Sequence, residues 1–106
     1  MRGLLFATLF FAALLEVGGD AVIRKGLRSA HPFLILLGVL LLGFYGIMVN
    51  TVKWDFSKLF GVYVAVFAVV GVLAGRLVFK ETVPISTWIG LLTIVVGATI
   101  IQVGQR

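Results

Sequence analysis

From Pro32 to Val49 the chain runs eighteen residues without a charged side chain, and it does much the same three more times. Residues 3–23 are apolar apart from Glu16 and Asp20, residues 59–79 are broken only by Arg76 near the end, and residues 85–103 are again uncharged. A helix needs about 20 apolar residues to cross the hydrocarbon core of a bilayer. Lipid offers the backbone no hydrogen bonds, so a spanning segment of this length must satisfy its own amides as a helix. The alternating pattern of roughly ten residues that marks a membrane barrel strand is absent. The expectation is an all-α membrane protein, a single four-helix transmembrane domain over residues 1–106. Its helices fall at approximately 3–23, 32–49, 59–79 and 85–103, joined by short loops.

Composition agrees and narrows the function classes. Hydrophobic residues make up 61% of the 106 and charged residues 12%, against about 45–50% and 25% in soluble domains. That excludes a soluble enzyme and a disordered tail. With no Cys and a lone His31, disulfide frameworks, thiolate sites and histidine metal motifs are excluded too. No nucleophile–base pair is visible, so neither enzymatic activity nor a cofactor or metal is expected.

The connectors carry the charge. Residues 24–31 hold Arg24, Lys25 and Arg28, with Gly26 as the expected helix stop and Pro32 opening the second helix. Residues 50–58 hold Lys53, Asp55 and Lys58 beside Trp54, a residue suited to the membrane interface. Residues 80–84 form a tight turn with Glu81. Arg2 before an apolar run is reminiscent of a signal peptide, but there is no clear cleavage motif and three more spans follow. The net charge of +5 is no nucleic-acid footprint, because the cations are split between two membrane faces. Arg2, Lys53, Lys58 and Arg106 lie on one side; Arg24, Lys25, Arg28, Arg76 and Lys80 lie on the other. Orientation follows a Lys/Arg imbalance, and four against five is almost none. We therefore expect insertion in both orientations and pairing as an antiparallel homodimer, a single topology fixed by the first connector being the competing expectation.

Glu16 most needs a reason. It sits thirteen residues into the first span from Gly3, about 19 Å along the helix axis. A charged side chain at that depth costs about 2.5–3.5 kcal/mol and by default marks a functional site. A dehydrated carboxylate can hold a proton or a cation but not both, so exchange is built into one side chain. The structural alternative pairs Glu16 with Arg76 or caps a neighbouring helix. Asp20, four residues on, shares its face, and Ala12 and Thr8 extend that face with small side chains that leave room for a ligand. Asp20 lies close to the end of the span and reads more as a wetted mouth residue than as a second proton site.

In the third span Phe60, Tyr63 and Phe67 form one stripe, and aromatic faces attract desolvated cations; the alternative is ordinary packing. A small-residue seam of Gly61, Ala65, Ala68, Val72 and Gly75 runs along the same span. In the fourth, Ser86, Gly90, Thr93, Gly97 and Gly104 recur at helical steps. Small residues let helices approach closely in lipid, so Gly90, Thr93, Gly97 and Gly104 are the candidate dimer contact.

Taken together, Leu15-Glu16-Val17-Gly18-Gly19-Asp20 followed by Arg24, Gly26 and Pro32, the turn Phe79-Lys80-Glu81, and Gly90 with Gly97 resemble the small multidrug resistance transporters, four-helix members of the drug/metabolite transporter superfamily. The resemblance covers essentially the whole chain. It implies an antiparallel homodimer in which paired glutamates bind protons and cationic substrate in competition, with Glu16 as that site. It also implies that Tyr63 stands where drug exporters carry a Trp and Phe60 at their Tyr position, and it places Tyr45 and Asn50 in the inner part of helix two. The Trp itself is missing, Ala65-Val66-Phe67 replaces a kinking glycine pair, and Asp20 replaces a small hydroxyl residue. Gly61-Val62-Tyr63-Val64 is instead similar to the YnfA-like branch of four-helix proteins.

The resulting expectation is a proton-coupled antiporter exporting small organic cations (quaternary ammonium, guanidinium or polyamine-like) by alternating access. The alternative is a non-exchanging subunit of a heteromeric flippase or assembly complex, with Glu16 as a structural contact. Partners would be protons, the cation, membrane lipid and a second copy or a heteromeric partner, with no nucleic acid. Short loops suit a bacterial inner membrane. Reporter domains fused to the C-terminus, one active only in the cytoplasm and one only outside it, should both give signal; a single active fusion would establish one fixed topology.

Overall fold

The computed structural model describes residues 2–104, which form four helices: α1 (Arg2–Arg28), α2 (Pro32–Val49), α3 (Phe56–Leu77) and α4 (Ile85–Gly104). All four are long and apolar enough to cross a membrane. The chain divides into two compact units meeting at Val52 and Lys53: the first holds α1 packed on α2, the second α3 packed on α4. Each is an antiparallel pair closed by a short turn. Arg106 and the Arg2 side chain, two of the cations counted toward orientation, lie outside the described residues.

α1 continues through Arg24, Lys25 and Arg28, beyond the expected boundary at residue 23. A helix need not end where the apolar stretch ends, and Lys and Arg in its last turn complement the helix dipole. Gly26 is therefore not the stop. It is a buried interior position where α2 passes so closely that a Cβ would sit 2.9 Å from the Ile35 backbone nitrogen. Termination comes at Ala30, whose φ of 53° is left-handed, with the His31 amide donating to the Gly26 carbonyl at 2.8 Å. This is the wrap usually built with glycine, here made by alanine.

α3 begins at Phe56, three residues before the expected start at Leu59. Asp55 accepts the Leu59 amide at 2.9 Å through its backbone carbonyl, and the Phe56 and Phe60 rings meet at 4.6 Å with their planes tilted by 57°. Lys58 lies 4.4 Å over the Trp54 ring. At the far end Lys80 takes a left-handed φ of 55°, and the Glu81 amide donates to the Gly75 carbonyl. α4 follows Pro84, whose carbonyl accepts the Thr87 amide.

The tightest helix contact lies between α1 and α2. A Cβ on Gly38 would meet Ile23 and stand 2.7 Å from the Gly19 carbonyl oxygen, and one on Gly19 would stand 3.0 Å from the Gly38 carbonyl oxygen and from Leu42. Backbone against backbone is the closest approach two helices can make. Among the described residues the buried hydrophobics include Leu9, Ala12, Ala13, Val49, Leu59, Val62, Tyr63 and Ala98, and no polar or charged residue is fully buried. Large apolar side chains left uncovered along α4, Ile89, Leu92, Ile100 and Val103 among them, suit contact with acyl chains.

Gly38→Ala should lower the stability of the detergent-solubilised protein by about 1–3 kcal/mol, measured by denaturant titration, because the Gly19 backbone cannot give way. Gly43→Ala, with nothing within 4 Å of its Cβ, should cost nothing. Ala30→Gly should raise stability by up to about 1 kcal/mol, by relieving the left-handed backbone.

Candidate functional site

The polar face of α1 is laid out along one side of the helix. Thr8 donates its hydroxyl to the Leu4 carbonyl at 2.9 Å, so its proton is already used within the helix. Ala12 is fully buried, so its methyl packs against protein instead of facing open space. Glu16 is half-buried and Asp20 exposed.

Glu16 meets Tyr45 of α2. The Tyr45 hydroxyl donates a hydrogen bond to the Glu16 carboxylate, and Asp20 is close enough to act on the same hydroxyl electrostatically. Tyr45 is half-buried, a ring in an apolar setting whose polar end has found a partner. The structure thus brings together Glu16, Tyr45 and Asp20 within the first unit. Asn50, just beyond α2, donates its side-chain amide to the Gly46 carbonyl at 2.8 Å and closes the helix end.

Beside this cluster an open groove of about 780 Å³ runs between α1 and α2, lined by Leu4, Thr8 and Phe11 on one helix and Phe44 and Met48 on the other, with Thr51 just past its end. Thr51 donates to the Met48 carbonyl, as Thr8 does to Leu4, so the groove offers no unspent hydroxyl proton and is chemically apolar.

The aromatic stripe belongs to the second unit. Phe60 and Tyr63 meet edge to face at 6.4 Å, and Tyr63 and Phe67 stack at 6.3 Å and 27°. Together with Phe56 they form a ladder along α3. Tyr63 is 3% exposed, whereas Phe60 and Phe67 are half-buried. Packing therefore claims most of the Tyr63 ring, and the two phenylalanines keep the more accessible faces.

On α4, Gly90, Gly97 and Gly104 have nothing within 4 Å of where a Cβ would stand, and Thr93 is exposed with its hydroxyl returned to the Ile89 carbonyl at 3.0 Å. The seam is bare and lies away from the buried Ala98. Gln102 was missed by the sequence reading. It continues the inward stripe of Leu91, Val95 and Ala98, and its Oε1 is buried with no hydrogen-bond partner. Its one signal was the single side-chain amide of α4, at the α3-facing register two positions from the helix end. Among the described residues no group of three or more His, Cys, Asp or Glu could hold a metal.

Comparison with known proteins gives the family. Residues 2–106 match the model described as "Uncharacterised BCR, YnfA/UPF0060 family". The "UPF0060 membrane protein DSY4157" of Desulfitobacterium hafniense (strain Y51) is 35% identical over 97 residues, covering 90% of each chain. The "UPF0060 membrane protein YfjF" of Bacillus subtilis (strain 168) is 35% identical over 101 residues, 92% of this chain and 93% of the relative. A UPF0060 membrane protein of Rippkaea orientalis is 29% identical over 106 residues, 99% of this chain and 95% of the relative. No solved structure matches. The YnfA-like features of α3 were thus the more telling part of the resemblance. The chain is a multi-pass integral membrane protein and belongs to the YnfA/UPF0060 family.

Proposed function

We propose that the protein is a proton-coupled antiporter that exports small organic cations by alternating access, with Glu16 exchanging a proton for the substrate. The observation that carries this reading is the place of Glu16: a carboxylate well inside a membrane-spanning helix, half-buried, with a phenol hydroxyl directed at it. Such a group is expensive to keep in lipid and is retained where its charge is used. Proton and cation compete for the same two oxygens, so binding one expels the other. A gradient of one pH unit then contributes about 1.4 kcal/mol per proton toward moving the cation.

The remaining parts take supporting roles in this reading. Asp20, exposed one turn along α1, would draw cations toward the site. The accessible faces of Phe60 and Phe67, with the edge of Tyr63, would receive a desolvated cation, each contact contributing about 0.5–2 kcal/mol. The bare seam of Gly90, Thr93, Gly97 and Gly104 would take a second, inverted copy, which alternation between two equivalent states needs. The resemblance to the small multidrug resistance transporters supports the same assignment.

Adding guanidinium or tetramethylammonium to weakly buffered, detergent-purified protein should release protons from the wild type and none from Glu16→Gln. Proton-coupled uptake retained by Glu16→Gln in vesicles would return Glu16 to a structural role, as in a non-exchanging subunit. Gly97→Leu should fill the α4 seam and lower the cross-linked dimer fraction at least severalfold; an unchanged fraction would place the dimer contact elsewhere.

A further inference from the structure

We propose that Tyr45 is the positioning residue of the Glu16 site, a donor built into the same chain that orients the carboxylate and sets how readily it takes up a proton. The consequence for transport rests on the exchange reading above, whereas the placement of Tyr45 does not.

The placement follows from the α1–α2 contact. Gly19 and Gly38 lock the two antiparallel backbones together. One turn from Gly19 toward the start of α1 lies Glu16, and the same direction along α2 passes Leu42, already against Gly19, and reaches Tyr45 within about another turn. Side chains lean toward the N-terminus of their own helix. In an antiparallel pair those two directions oppose, so the Tyr45 ring leans back toward the level of Glu16 while the Glu16 chain leans toward it. The hydroxyl–carboxylate hydrogen bond is the result.

Nothing else on α2 can perform this role, since Tyr45 is its sole titratable or charged side chain between Pro32 and Val49. On α1 the other ionisable groups near this face are Asp20 and, two turns beyond Glu16, Arg24, both exposed. A phenylalanine would fill the same apolar space at less cost, so the hydroxyl is the part of Tyr45 that packing does not explain. Its hydrogen bond favours the bare carboxylate, and a proton arriving at Glu16 must overcome it.

The test reads Glu16 directly, without a transport assay. Dicyclohexylcarbodiimide attacks protonated carboxyls in membranes, and peptide mass spectrometry separates Glu16 from Asp20, Asp55 and Glu81. Its labelling against pH gives a midpoint for wild type, Tyr45→Phe and Tyr45→Met in detergent. Loss of the donor should move that midpoint upward by about one pH unit in both variants, on the scale of a hydrogen bond to a charged group. Should the Phe variant fail to fold, the Met variant must show the shift. Phe44→Leu, one residue away and lining the groove, should leave the midpoint where it is. An unmoved midpoint in the Tyr45 variants, or an equal shift in Phe44→Leu, overturns the proposal. Guanidinium or tetramethylammonium protecting wild-type Glu16 from labelling supports the exchange reading. Absence of protection overturns that reading alone, because the Tyr45 shift is measured with no cation present.

Discussion

The close passage of Gly19 and Gly38 sets the geometry of the first unit. In lipid there is no hydrophobic gain from burying one apolar helix against another, so association depends on how closely the surfaces fit. Two glycines facing each other bring the α1 and α2 backbones to contact distance, and Gly26 against Ile35 continues the same approach toward the turn. Two such points fix both the distance and the sliding register of the pair. The register then decides which α2 side chain stands at the level of Glu16, and that side chain is Tyr45.

Polar groups elsewhere follow a simpler rule. Thr8, Thr93 and Thr99 each return a hydroxyl proton to the carbonyl four residues back in the same helix. These bonds make the hydroxyls compatible with an apolar surrounding without committing them to another helix. Glu16 has no such local solution, because a carboxylate has no proton to give back to its own helix. Its hydrogen bond must come from another element, which is why it is the group that ties α1 to α2 chemically and not only sterically. In the second unit Gln102 keeps a buried carbonyl oxygen that neither its own helix nor another satisfies.

Much of this was legible from the residues alone. Four apolar stretches of spanning length, two of them free of charge, gave four helices, and α2 and α4 agree with the expected bounds to within a residue. Glu16 was legible because depth in an apolar run is a one-dimensional property. Gly26 was misread because a glycine near a run of cations has the pattern of a stop, and only the partner helix reveals that its missing side chain is used for contact. The true stop at Ala30 carries no signal, since alanine is a strong helix former. The start of α3 was misplaced because Asp55 and Phe56 were grouped with the polar connector. The hydrogen bond from Tyr45 to Glu16 was out of reach for another reason: it depends on interhelical register, which periodicity within one helix does not encode.

The tightness of the turns has a consequence for how the protein is made. With residues 29–31 alone between α1 and α2, and a hydrogen-bonded wrap holding them, the first two spans cannot be placed in the bilayer one at a time in a lasting way. Arg24, Lys25 and Arg28 must move or stay as one block. The contacts that fix this unit all lie on the α1–α2 side of Val52, and short-range contacts of this kind form quickly. The first pair can therefore assemble from its own residues, without α3 or α4.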